Sequence, residues 1–172
     1  SWVNWDLSEQ DNDLLEFTRT MMWLRRDHPV LRRRRFFTGD AGHGGESELG
    51  EIEWLTPAGE SMTDQDWTTW YARAMMVFLN GEAIAEPDER GQRIVDDSFL
   101  VLINASDEDI TFTLPGEGYA PTWKVALDTA PAVDGDSDPV LAADDTVVVE
   151  ARSMLFLIDA PESAATTERH PR

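Results

Sequence analysis

Apolar residues recur along this chain with two different periods, which separate a helical front from a strand-rich body. Between Asp11 and Asp27 the spacing is three or four residues, which is typical of an amphipathic helix. The apolar positions are Leu14, Phe17, Met21 and Leu24, with Leu15 and Met22 beside them. We expect Asp11 or Asn12 to cap this helix and His28-Pro29 to end it, because a residue before proline is disfavoured in the helical region. A single helix with one apolar face needs a partner surface for stability.

After a glycine-rich loop, Gly39–Gly50, the period shortens to two and predicts β-strands. In the first such stretch, Ile52 and Trp54 flank Glu53. The other predicted strands are Arg73–Leu79, Ser98–Asn104, Asp109–Leu114, Thr122–Leu127, Thr146–Glu150 and Ser153–Ile158. Turn-forming residues separate them and no strand alternates with a long helix. The pattern therefore favours an antiparallel β-sandwich over a parallel sheet.

Two local signals refine this mainly β fold class. Thr63, followed three residues later by Asp66, predicts a short helical turn that begins with a capping box. Asn80-Gly81 predicts a tight hairpin turn directly after the strand Arg73–Leu79. The expected architecture is an antiparallel β-sandwich preceded by one amphipathic helix.

Composition narrows the classes of partner. The chain has 172 residues, no cysteine and a formal net charge of −20. The absence of cysteine excludes disulfides and thiol chemistry, and the acidity argues against a nucleic-acid partner. The charge is uneven, since residues 1–35 carry a net +1 and the remainder carries −21. No apolar run has the length of a membrane span and no signal peptide is recognisable, so we expect no membrane partner.

Residues that often carry catalysis are present without the arrangements that catalysis needs. The three histidines, His28, His43 and His170, do not fall in a nucleophile motif such as G-x-S-x-G. Runs of acids fall in predicted turns, and we interpret them as loop residues rather than as the paired carboxylates of a glycosidase. These runs are Asp96-Asp97, Asp88-Glu89 and Asp107-Glu108-Asp109.

Candidate metal and anion sites are equally incomplete. The alternating acids Asp134 to Asp138 imitate a calcium loop, but Pro139 and Asp145 stand where that loop requires Gly and Glu. The glycines of Gly39–Gly50 lack the spacing of a phosphate-binding loop. The run Arg32–Arg35 could contact nucleic acid, but it could equally pair with acids of this chain or of an adjoining domain. We expect no metal and no cofactor.

Trp2 and Trp5 are the candidates for ligand contact in the first residues of the chain. They lie beside Asn4 and Asp6. An indole face stacks on the apolar C–H groups of a sugar ring, while amides and carboxylates suit its hydroxyls. The alternative is that both indoles pack against a neighbouring domain.

Several strings of residues carry a resemblance to a known family. They are SWVNWDL at 1–7, HPVLRRRRFF at 28–37, MTDQDW at 62–67, FLNG at 78–81, DDSFLVLINA at 96–105 and LDT at 127–129. In this order and spacing, the chain resembles the isoamylase-type bacterial glycogen debranching enzymes, glycoside hydrolases of the alpha-amylase superfamily. The resemblance covers about residues 1–160.

The resemblance implies a cytoplasmic parent enzyme of glycogen catabolism that hydrolyses α-1,6 branch linkages of glycogen by a retaining double displacement. In that family the catalytic aspartate, the glutamic acid/base and a second aspartate lie on a (β/α)₈ barrel, upstream of the SWVNW string. No catalytic residue can therefore be assigned in this chain. A barrel needs about 200–250 residues, so we expect the isolated chain to be inactive.

The resemblance also implies a division of the chain. Residues 1–35 would be the end of the barrel, with its last loop and final helix, 36–160 a C-terminal β-sandwich domain, and 161–172 a flexible tail. Trp2 and Trp5 would lie in the loop that lines the substrate cleft. Partners would be the upstream barrel and, through the parent, glycogen or a branched α-glucan.

Two alternatives stay open at this point. One is a free-standing carbohydrate-binding β-sandwich, for which exposed aromatics such as Trp54, Trp70 and Trp123 would be the binding residues. The other is a structural or interaction domain unrelated to sugar.

Overall fold

A computed structural model of the chain describes residues 5–37, 49–69, 73–130 and 139–160. The helices of this part are α1 (Glu9–Asp27), a one-turn 3-10 helix (Pro29–Arg32) and α2 (Asp64–Trp67). The strands are β1 (Ile52–Leu55), β2 (Ala74–Leu79), β3 (Phe99–Asn104), β4 (Ile110–Thr113), β5 (Thr122–Asp128), β6 (Val140–Ala142), β7 (Thr146–Val149) and β8 (Ser153–Asp159). The fold is thus mainly β with one long helix in front, as the sequence pattern predicts.

Helix α1 ends where the sequence predicts but begins two residues earlier. Ser8 is its cap, since the Ser8 hydroxyl accepts from the Asp11 amide (3.2 Å) and the Asp11 carboxylate accepts from the Ser8 amide (3.0 Å). The prediction that Asp11 or Asn12 caps the helix is therefore wrong, because Asp11 is the third helical residue of a capping box. At the other end, Pro29 starts the 3-10 helix.

The strands form two antiparallel sheets. Six strands pair in the order β1-β2-β3-β8-β5-β6, and β4 pairs with β7. Alternate residues of β2, β3 and β8 point toward the smaller sheet in paired rows, one of which is Phe78, Leu100 and Leu157. Phe112 of β4 and Val149 of β7 pack against these rows and close the main core. Residues of both sheets thus fill the interior of an antiparallel sandwich.

The opposite face of the six-stranded sheet, here called the outer face, carries a second and smaller core. Leu79, Phe99 and Ile158 occupy paired positions of β2, β3 and β8 on this face. Val30 of the 3-10 helix and Ile84 of the following connection pack against them. The segment that follows α1 is therefore fixed to the outer face.

Asn80-Gly81 does not form the predicted two-residue hairpin. Strands β2 and β3 do pair, but the connection between them runs from Asn80 to Ser98. The backbone of Gly81 lies against that of Asp96 and Asp97, so closely that a Cβ at Gly81 would overlap their carbonyl oxygens. Glycine is required here by the close approach of two backbone segments and not by a hairpin turn.

The structure confirms one further prediction and adds one strand that the sequence does not predict. The capping box of Thr63 and Asp66 is confirmed, with both reciprocal hydrogen bonds present at the start of α2. Strand β6 is absent from the sequence-based prediction. Within the described residues, no helix has the length and apolar character needed to cross a membrane.

Candidate functional site

The predicted tryptophan pair lies partly outside the described residues. Trp2 lies outside them, so its contact with a ligand stays a prediction. Trp5 precedes the cap of α1 and is 79% exposed. An exposed indole at this point is available for contact with a ligand or with another domain.

Helix α1 presents an apolar face to solvent. None of its residues is buried. Leu24 contributes to the second core, whereas Leu14, Met21 and Met22 are exposed, Met22 by 67%. These three residues lie seven and eight positions apart, on one side of the helix, and are here called the α1 apolar face. Burial of such side chains is what stabilises an amphipathic helix, and the described part of the chain does not cover this face.

A buried carboxylate fastens the end of α1 to the sandwich. Asp96, with a side chain only 7% exposed, accepts from the Val30 amide at 2.9 Å and hydrogen bonds to His28 Nδ1 at 2.9 Å. It also accepts from the amide of Asp97 at 2.9 Å. The His28 ring in turn packs edge-on against Phe99, with 4.8 Å between ring centroids. We call these contacts of Asp96 the Asp96 clasp.

Arg33 makes a second attachment of the same segment. Its Nη2 donates to the Asn80 carbonyl at 3.0 Å, and its Nη1 lies 3.3 Å from a carboxylate oxygen of Glu51. Both side chains of this ion pair are buried, and burial lowers the pKa of Arg33. Of the arginine run, this residue pairs with an acid of its own chain, one of the alternatives left open by the sequence. The segment from His28 to Arg33 is therefore fixed while α1 projects from it.

The acidic runs have structural roles in the described residues. Asp96 belongs to the clasp, and Asp107 forms an exposed ion pair with Arg73 at 3.3 Å. Asp88 accepts from the amides of Arg90 and Gln92 within its loop. These contacts agree with the interpretation of the acids as loop residues.

Ligand atoms of His28, Asp96 and Asp97 lie within 4.8 Å of one another, a separation that would suit a cation. Both oxygens of Asp96 already accept hydrogen bonds from the protein, however, and Asp97 is exposed. These bonds account for the cluster as part of the clasp. The predicted calcium-like acids, Asp134 to Asp138, lie outside the described residues, as do His43 and His170.

Asp159, at the end of β8, is a partly buried carboxylate whose ionised form is disfavoured by its surroundings. Burial raises the pKa of Asp159, and repulsion from Asp97, Glu82 and Asp96 acts in the same direction. Its Oδ1 is buried and has no hydrogen-bond partner in the described part of the chain. Replacing the Asp159 carboxylate by a neutral side chain would therefore remove its repulsion with the neighbouring acids.

The remaining tryptophans divide between core and surface. Trp123 is fully buried in the main core, so it cannot serve as a binding residue, and Trp70 lies outside the described residues. Trp54 is 39% exposed and packs edge-to-face with Trp67, which is 51% exposed. The sequence grouped Trp54 with Trp70 and Trp123 and did not predict its pairing with Trp67. The MTDQDW string was the available signal, because it places a tryptophan on a short helix close in sequence to β1.

Comparison with known proteins identifies the sandwich. Residues 51–160 match the family model described as isoamylase, C-terminal. The chain is 50% identical over 157 residues to the glycogen operon protein GlgX homolog of Mycobacterium tuberculosis, covering 91% of this chain and 22% of that protein. It is 28% identical over 126 residues to a glycogen debranching enzyme of Dickeya chrysanthemi, covering 73% of this chain and 15% of that one.

A solved structure shows the same fold. A pullulanase from Anoxybacillus sp., crystallised with maltotetraose, matches 92% of this chain and 17% of its own length, with a TM-score of 0.52 and 12% identity. The chain spans 22% and 15% of the length of these two curated relatives. Because the family model matches residues 51–160 and a relative is 50% identical over 157 residues, the chain belongs to the isoamylase C-terminal family.

Proposed function

We propose that this chain is the non-catalytic C-terminal part of a glycogen debranching enzyme, and that it covers and stabilises the catalytic barrel of its parent. The parent would hydrolyse α-1,6-glucosidic branch linkages of glycogen in the cytoplasm. The family match and the relatives named as glycogen debranching or glycogen operon proteins support this proposal. The catalytic carboxylates would be supplied by the barrel, as no catalytic role is assigned to any residue of this chain.

The observation that carries the proposal is the α1 apolar face. Leu14, Met21 and Met22 would pack against the preceding barrel elements, of which α1 would be the final helix. The proposed division is 1–35 for the end of the barrel, 36–160 for the sandwich and 161–172 for the tail. The Asp96 clasp and Arg33 lie at the proposed junction, where they would hold the two domains in a fixed relative position.

Trp2 and Trp5 would be the substrate contacts of this part of the enzyme. Trp5 is exposed immediately before α1, at the position where the barrel's last loop would line the cleft. Its indole face suits a glucose ring, and the adjacent Asp6 suits the hydroxyls. The proposed partners are thus the upstream barrel and a branched α-glucan, with neither nucleic acid nor membrane.

Methionine oxidation provides the test, because α1 and the core each contain methionine. Met22 is 67% exposed, whereas Met76 in the main core is fully buried and serves as the internal control. We expect hydrogen peroxide to oxidise Met22 rapidly in the 172-residue chain and slowly in the longer parent, as measured by mass spectrometry. Met76 should react slowly in both. Equal rates at Met22 in the two proteins would contradict the proposed covering of the barrel.

A second experiment addresses catalysis. We expect the purified 172-residue chain to release no linear maltooligosaccharides from glycogen. Release of such products by the chain alone would contradict the assignment as a non-catalytic part.

A further inference from the structure

We propose that Trp54 and Trp67 form a contact site for α-glucan on the sandwich, in addition to the proposed contacts of Trp2 and Trp5. The inference rests on the proposed function, from which it takes the class of ligand. The pair is defined by edge-to-face packing of the two indoles, with 5.3 Å between ring centroids and 73° between ring planes. We call it the tryptophan corner.

Trp54 is exposed because of its position in the sheet. Strand β1 is at the edge of the six-stranded sheet, and successive residues of a strand point to opposite faces. Leu55 points into the main core and is fully buried, so Trp54 points to the outer face, where it is paired in register with Val77. Core packing therefore accounts for Leu55 but leaves 39% of Trp54 in solvent.

Trp67 is brought to Trp54 by a tight return of the chain. The Met62 amide donates to the Trp54 carbonyl at 2.8 Å, after a turn in which Gly59 has a φ of +85°. The capping box between Thr63 and Asp66 then fixes the first turn of α2. Backbone and capping-box hydrogen bonds thus hold the corner before any ligand arrives, which lowers the conformational entropy lost on binding.

The chemistry of the corner fits a neutral sugar polymer. Two aromatic faces set at an angle suit a curved α-1,4-linked glucan, whose successive glucose rings present apolar C–H groups. Asp64 lies three residues before Trp67 on α2, and Gln65 is the next residue after Asp64. Both are exposed, so a carboxylate and an amide are close to the Trp67 indole for hydrogen bonds to sugar hydroxyls. A neutral glucan also avoids the repulsion that this strongly acidic chain would exert on a polyanion.

Titration of the 172-residue chain with maltoheptaose, followed by NMR of the indole N–H signals, tests the proposal without any substitution. We expect the signals of Trp54 and Trp67 to shift with ligand, and the signal of Trp23, exposed on α1, to stay fixed. Because the proposed contacts involve a neutral ligand, the apparent affinity should not fall when salt is raised. If maltoheptaose leaves both corner signals unchanged, the proposal is wrong.

Affinity electrophoresis in a glycogen-containing gel supplies the matched variants. Trp67→Ala should weaken binding about tenfold through loss of one aromatic face, whereas Trp23→Ala should migrate as the unmodified chain does. Equal effects of the two variants would overturn the proposal. If Trp67→Ala does not fold, as judged by circular dichroism, the NMR titration decides. The oxidation rate of Met22 tests the proposed function independently. If Met22 is protected in the parent but the indole signals of the corner do not shift with maltoheptaose, only the proposed glucan site at the corner is refuted.

The competing outcome is that another domain of the parent covers the tryptophan corner. In that case both indoles would be insensitive to maltoheptaose in the 172-residue chain, and would become protected from solvent in the longer parent. This result would assign the tryptophan corner to a domain interface and reject it as a glucan site.

Discussion

Removal of the Asp96 carboxylate should release the front segment from the sandwich. In Asp96→Ala the Val30 amide, which is buried, loses its acceptor, and a buried donor without a partner costs about 1–3 kcal/mol. The lost bond to His28 adds less than a fully buried bond would, because the His28 side chain remains 18% exposed and water can reach it. We therefore expect a loss of about 2–3 kcal/mol in the free energy of unfolding.

Urea unfolding followed by circular dichroism measures this loss, and the neighbouring acid supplies the control. Asp97 has an exposed side chain whose carboxylate oxygen is 3.9 Å from His28 Nδ1, so Asp97→Ala should stay within about 0.5 kcal/mol of the unmodified chain. Hydrogen exchange should show faster exchange at Val30 in Asp96→Ala, while the paired amides of β3 keep most of their protection. Equal losses for the two variants would refute the reasoning about the clasp.

Three further predictions concern stability. Gly81→Ala should lower the free energy of unfolding by about 1–3 kcal/mol because its Cβ would overlap two backbone carbonyls, whereas Gly118→Ala, whose Cβ would meet no atom within 4 Å, should change the urea midpoint little. Phe112→Ala should cost about 3–5 kcal/mol by leaving a cavity between the sheets, and an unchanged urea midpoint would contradict the assigned core. Asp159→Asn should raise the Tm at pH 7, because the raised pKa of Asp159 means that its ionised form destabilises the folded state there. The gain should shrink as pH falls from the raised pKa toward the unfolded value of 3.8, since the folded wild-type chain takes up a proton in that interval; a gain that is constant with pH would exclude this cause.

The sequence predicts the strands well because their patterning is local. β2 and β3 are continuous apolar runs, since one face fills the main core and the other is covered in part by the 3-10 helix. Strand β6 is missed because it has three residues, too few to display a period of two. The Asn80-Gly81 signal fails for a different reason: the glycine serves a contact with Asp96 and Asp97, which are distant in sequence.

The candidate sites depend on contacts that no local pattern encodes. His28 and Asp96 are 68 residues apart in sequence, and only the fold brings the helix end to the connection before β3. Likewise, the period of two predicts Trp54 on a strand but does not predict which face of the sheet is covered. It also does not predict that Trp67 packs against Trp54. The exposed apolar side of α1 could be anticipated, because an amphipathic helix requires a partner surface whatever the rest of the fold.

The most direct test of the central claim is the size and activity of the native polypeptide that carries this chain. Antibodies raised against the 172-residue chain would be used to capture the protein from cells of the source organism, with the mass read by mass spectrometry and glycogen offered as substrate. The proposal predicts a polypeptide several times larger than 19.4 kDa that releases linear maltooligosaccharides from glycogen. Capture of a free-standing 19.4 kDa protein, with no larger form, would contradict it.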